Sequence, residues 1–127
     1  MDTYYQAIAP EYVRHRRVHP EVLRSLISMG EVGRESPVLD VGCGTGNYLL
    51  ALSELVGCDC WGIDPSEAML AEAQRRLTKA QFFRTPAEQT GLPAGQFDLG
   101  FAVDVVHHLV DRPRSFRECF RILRPIG

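Results

Sequence analysis

The 127 residues suit one domain of ordinary size, and an apolar share of 45% is enough for a core. Charged residues make up 24% and the net charge is -2, which gives no reason to expect nucleic acid or a membrane surface as the main partner. No apolar run approaches the roughly 20 residues that span a bilayer.

The N-terminal stretch from Met1 to Tyr12 carries acids and polar groups where a signal peptide would have a basic start and an apolar core, so a cytoplasmic protein is expected. Val22, Leu23, Leu26 and Ile27 then recur at helical spacing, with Pro20 in the first turn and Gly30 at the stop. After a polar linker, Pro37 to Val41 reads as a short buried strand ended by Gly42-Cys43-Gly44-Thr45-Gly46. Asn47 to Val56 is leucine-rich and helical, stopped by Gly57; Cys60 to Ile63 is the second strand, followed by Asp64. Ser66 suits the cap of a helix whose buried stripe is Met69, Leu70, Ala73 and Leu77. Gln81 to Arg84 is a third strand, followed by a loop containing Pro86, Gly91, Pro93 and Gly95. Phe97 to Val103 is nearly all apolar, as in a strand buried on both faces of a parallel sheet. The last helix starts near Pro113 and ends at Pro125, with Phe116, Cys119, Phe120 and Leu123 as its core stripe; Arg112, Arg114, Arg117, Arg121 and Arg124 form a solvated face.

This alternation predicts an α/β fold, an open parallel sheet of crossover units with helices on both faces. Ligands of such sheets bind beyond the carboxyl ends of the strands. The glycine loop and Asp64 both lie at such ends and should meet on one rim. Cys43, Cys58, Cys60 and Cys119 match neither a zinc nor a redox spacing, and the adjacent His107 and His108 point to different helix faces. Reduced, buried thiols and no metal are expected.

The loop has the pattern GxGxG. Its glycines permit a sharp turn and close approach of a ligand, and the helix behind it presents unpaired N–H groups. A dinucleotide fingerprint needs a third glycine where Asn47 stands, and no Walker lysine is present. Asp40 at the strand end would repel phosphate but suits an ammonium. A ligand bearing both an amine and a carboxylate fits both features. Asp64, 20 residues after Gly44, can accept hydrogen bonds from ribose hydroxyls or help start the next helix.

The segments VLDVGCGTG, GIDPSEAML, AEQTGLPAGQFDLGFAVDVVHHL and FRECFRILRPIG resemble, in order, motifs of the class I S-adenosylmethionine-dependent methyltransferases. The likeness is to the branch typified by the ubiquinone and menaquinone biosynthesis C-methyltransferases and runs from about Tyr5 to Gly127. It implies a Rossmann-like fold in which residues 1–127 supply four strands, order 3-2-1-4, of a seven-stranded sheet, with strands 5–7 absent. It implies S-adenosylmethionine as cofactor: Asp40, Gly42, Cys43 and Gly44 at the methionine end, Asp64 at the ribose, and Pro65 and Met69 beside the adenine. Ala87 and Glu88 would touch the adenine edge, although many relatives carry an acid where this chain has Pro86. Tyr12 is the candidate for a lid. His107, His108 and Asp104 are candidates near the reacting methyl, with helix capping the competing role for Asp104. A small-molecule methyl acceptor is expected, with self-association or a partner chain at the strand 4 edge. A catalytically silent S-adenosylmethionine-binding or assembly module is the alternative function, and an NAD-linked oxidoreductase a third.

Overall fold

The computed structural model describes residues 18–29, 31–102 and 112–123. The elements are α1 (Pro20–Met29), β1 (Pro37–Val41), α2 (Asn47–Leu55), β2 (Asp59–Ile63), α3 (Glu67–Arg76), β3 (Gln81–Phe83), β4 (Leu99–Phe101) and α4 (Arg112–Ile122). The strands form one parallel sheet in the expected order β3-β2-β1-β4.

The central place of β1 follows from its side chains: Val38, Leu39, Asp40 and Val41 are all buried. It pairs with β2 along its whole length, from Pro37 beside Asp59 to Val41 beside Ile63, and with β4 from Val38 beside Leu99 to Asp40 beside Phe101. Alternation along the strand sends side chains to opposite faces. Val38 joins Leu23, Leu49, Leu52, Cys60 and Leu70 in the core under α1, α2 and α3. Leu39 and Val41 join Ile63, Phe97 and Ile122 in the core under α4. Each fully buried aliphatic side chain of this kind contributes about 1.5–3 kcal/mol. A hydrogen bond from the His19 N–H to the Tyr48 hydroxyl (2.8 Å) ties the start of α1 to α2. On the α4 face Trp61 stacks on Phe83 at 5.8 Å and meets Phe97 edge-on at 5.4 Å. Among the described residues no acceptor reaches its buried Nε1.

Several expectations are corrected. Met69 does not belong to the buried stripe of α3: it is 46% exposed, while Leu70, Ala73 and Leu77 are buried. One residue is about 100° of helix turn, so Met69 and Leu70 cannot both face the sheet squarely. The core stripe of α4 is rotated in the same way. Phe116 and Phe120 are 50% and 80% exposed, and the inward positions are Ser115 and Ile122, with Cys119 half-buried. Arg114 and Arg121 do more than solvate a face. Arg114 donates to Gln89 Oε1 (3.0 Å), and Arg121 to Glu118 and to the Leu92 carbonyl (2.6 Å). Among the described residues the paired part of the fourth strand is Leu99–Phe101. Before it, the N–H groups of Gln96 and Phe97 both turn to the Ile122 carbonyl, and Phe97 forms a parallel bridge with Leu123. The edge of the sheet is therefore met at Phe97 by the end of α4, while Leu99–Phe101 have β1 as their one strand neighbour among the described residues.

Candidate functional site

The turn after β1 is held from below. The N–H groups of Gly42 and Cys43 both donate to the Ile63 carbonyl at the end of β2 (2.8 and 2.9 Å), and Gly46 N–H donates to the Cys43 carbonyl (3.0 Å). Gly42, Gly44 and Gly46 have φ of 73°, 58° and 83°, the left-handed region that side chains disfavour. Two of them have distinct reasons to lack a side chain. A Cβ on Gly46 would stand 3.2 Å from Leu77 and 3.4 Å from Ala73, so the loop presses on α3. Among the described residues a Cβ on Gly44 would meet nothing within 4 Å, so the loop faces away from them there. Among the described residues no acceptor meets the backbone N–H of Thr45 or of Asn47, at the start of α2. Such N–H groups, at the positive end of a helix, suit a carboxylate.

Two carboxylates share this rim. Asp40 is 4% exposed, and no donor among the described residues reaches its side chain. Burial, and secondly the charge of Asp64, push its carboxyl well above the ordinary 3.8. Asp64 accepts from the Gly44 N–H (2.9 Å) on Oδ2 and from the Ser66 N–H (2.8 Å) on Oδ1. The cap of α3 is Ser66, whose hydroxyl accepts from Met69 N–H (3.3 Å). Asp64 thus fastens the glycine loop to the end of β2, and each of its oxygens keeps a further lone pair.

The other expected residues divide into those that reach the rim and those that do not. Pro65 and Met69 are exposed at the start of α3, and the Pro65 carbonyl accepts from Arg84 Nε (3.1 Å). The Cys43 thiol turns into the core over Gly62 and is pushed up by burial, then by Asp40 and Asp64. Cys43 therefore supports the loop from beneath, with its sulfur in the core and its N–H on the Ile63 carbonyl. The Ala87 side chain is packed in the α4-side core with Val41 and Ile63, and Glu88 is half-buried beside it in sequence. Tyr12, Asp104, His107 and His108 lie outside the described residues.

Sequence reasoning missed Arg76 and Gly62. Arg76 Nη1 donates to the Thr45 carbonyl (2.7 Å) and to Asn47 Oδ1 (3.0 Å) across 31 and 29 residues. Gly62 leaves the space that the Cys43 sulfur and the Phe82 ring occupy. No local pattern announces either role.

The residues present fit a nucleoside carrying an amino acid: a buried acid that no described donor reaches, N–H groups in the loop after it that no described acceptor meets, and room at Gly44 among the described residues. Sheet order, loop and rim define the Rossmann-like α/β class. Within that class, residues 39–127 match the family described as Methyltransferase domain, and the chain belongs to this family. It is 30% identical over 119 residues to a malonyl-[acyl-carrier protein] O-methyltransferase of Enterobacter lignolyticus, covering 94% of this chain and 47% of that protein. It is 34% identical over 93 residues to a ubiquinone biosynthesis O-methyltransferase of Bradyrhizobium diazoefficiens, covering 71% and 36%. The crystal structure of the YcgJ protein of Bacillus subtilis matches with a TM-score of 0.77 at 30% identity, over 86% of this chain and 48% of that one. The chain spans about half the length, or less, of the curated relatives it matches.

Proposed function

We propose that this chain binds S-adenosylmethionine and forms the cofactor-holding part of a cytoplasmic methyltransferase acting on a small-molecule acceptor. The observation that carries this reading is Asp40: a buried carboxyl that no described donor reaches, two residues before a glycine loop that faces away from the described residues at Gly44. In this reading Asp40 receives the ammonium, and the free N–H groups of Thr45 and Asn47 receive the carboxylate. The spare lone pairs of Asp64 accept from the ribose hydroxyls, while Pro65 and Met69 flank the adenine with Ala87 and Glu88 at its edge. Tyr12 is the proposed lid.

When bound, S-adenosylmethionine supplies a methyl group on a positively charged sulfur, which is already an activated leaving group. The work left to the protein is alignment, for which well-oriented reactions gain up to roughly 7–11 kcal/mol. Asp40 would hold the amino-acid end of the cofactor and Asp64 its ribose, and the segment after β4 is proposed for the acceptor side. That segment carries Asp104, His107 and His108, proposed to face the acceptor, and one of them would take a proton if the acceptor must lose one.

Calorimetric titration with S-adenosylhomocysteine tests the assignment. Asp64→Ala should weaken binding by about 1–3 kcal/mol, and an unchanged affinity would remove the ribose role. Binding without transfer, in an assay with labelled cofactor and candidate acceptors, would support the silent-module alternative. Tighter binding of NAD than of S-adenosylhomocysteine would replace the reading with an oxidoreductase.

A further inference from the structure

Arg76 is the last residue of α3 and is half-buried, and its guanidinium passes behind the glycine loop. A single nitrogen, Nη1, donates at 2.7 Å to the Thr45 carbonyl and at 3.0 Å to the Asn47 side chain. These two residues own the loop N–H groups that no acceptor among the described residues meets. A peptide is planar, so holding the Thr45 oxygen toward α3 fixes the plane between Thr45 and Gly46. It also keeps a negative carbonyl dipole away from the ligand side of the loop. The end of the same helix crowds the next residue, since a Cβ on Gly46 would stand 3.2 Å from Leu77 and 3.4 Å from Ala73.

From this geometry we infer that Arg76 is a positioning residue, which sets the loop from Gly44 to Asn47 to receive the amino-acid end of the cofactor. The inference rests on the cofactor reading above and adds a division of labour to it. Asp64 and the start of α3 serve the nucleoside end, whereas Arg76 acts through the loop on the methionine end alone.

That division supplies a readout that a merely structural role would not move. S-adenosylhomocysteine carries the amino-acid tail; 5′-methylthioadenosine has the same nucleoside and sulfur without it. Calorimetric titration of both ligands against wild type and Arg76→Ala, below the unfolding midpoint of each protein, should show a selective effect. Affinity for S-adenosylhomocysteine should fall about tenfold or more, the size expected when hydrogen bonds from a charged group are lost. Affinity for 5′-methylthioadenosine should change by less than about twofold. If Arg76→Ala does not fold, Arg76→Met keeps an unbranched aliphatic stem but removes every donor, and should give the same selectivity. Equal losses on both ligands, or no loss on either, would overturn the inference. Wild-type protein that binds neither ligand would instead defeat the cofactor reading and this inference with it.

Discussion

Asp40 is held in a state that is costly for the folded chain at neutral pH. Its folded value lies above the ordinary 3.8, so the folded protein keeps a proton that the unfolded chain has released. The stability this provides is complete below about 3.8 and is lost as pH rises through the folded value. Asp40→Asn should therefore raise the thermal midpoint near neutral pH, with little change near pH 3, in melts followed by circular dichroism. The same substitution should weaken S-adenosylhomocysteine binding, because the amide offers no charge to an ammonium. At a pH below that folded value, an ammonium that binds only the ionised form also draws a proton off Asp40, and titrations there in buffers of different ionisation enthalpy should show proton release. A lower midpoint for Asp40→Asn at neutral pH would count against this account of burial. Gly62 is the complementary case, a residue needed for what it lacks. Its Cβ would stand 2.7 Å from the Cys43 sulfur and 2.8 Å from the Phe82 ring. Gly62→Ala should cost about 1–3 kcal/mol in denaturant titration, and Gly62→Ala combined with Cys43→Ala should recover part of that loss.

At the scale of elements, α4 is joined to the loop before β4 by a polar knot as well as by apolar burial. Glu118 accepts from the Thr90 N–H (2.9 Å) and hydroxyl, Arg121 closes on the same carboxylate (2.8 Å), and Thr90 receives the Leu92 N–H (3.2 Å). These partners, Arg121 first, lower Glu118 from 4.5 to about 2. A lowered carboxylate stabilises the fold fully above about 4.5 and loses that contribution as pH falls toward about 2. Glu118→Gln should cost about 1–2 kcal/mol at neutral pH and progressively less in acid, measured by denaturant midpoints across that range. The strands β1, β2 and β3 and their crossover helices were legible in the sequence because each combines a short apolar run with a glycine or capping stop. The phase of α4 was not. Phe116, Phe120 and Leu123 fit a 3.6-residue period as well as Ser115, Cys119 and Ile122 do, and only the space beside Phe97 and Leu39 decides between them. At the site, Asp40, Gly44 and Asp64 were readable from position at strand ends. Arg76 was hidden because its partners lie about thirty residues back on another element, and a charged residue closing a helix has many ordinary reasons to be there.

At the scale of the whole molecule, the described residues cover one face of the sheet more fully than they cover its β4 edge. Three helices cover the α1–α3 side, whereas beyond β4 the described residues leave Phe116 and Phe120 open to solvent and Leu99–Phe101 with one strand partner. An unpaired edge beside exposed aromatic rings favours pairing with another chain, and we expect the 127-residue chain to associate in solution. Sedimentation velocity should show concentration-dependent species above the monomer, and Phe120→Glu should shift the distribution toward monomer. A single monomeric boundary at every concentration would count against the expectation.

The ring trio of Phe83, Trp61 and Phe97 has a practical consequence. Trp61 is the chain's one tryptophan, its indole nitrogen is shut away from solvent, and it stands three residues before Asp64 on β2. Its fluorescence therefore gives a native optical signal from the strand that leads into the rim. A blue-lying emission that water-borne quenchers scarcely reach would report a closed sheet, and its displacement on adding a nucleoside would register events at the strand tip without a label.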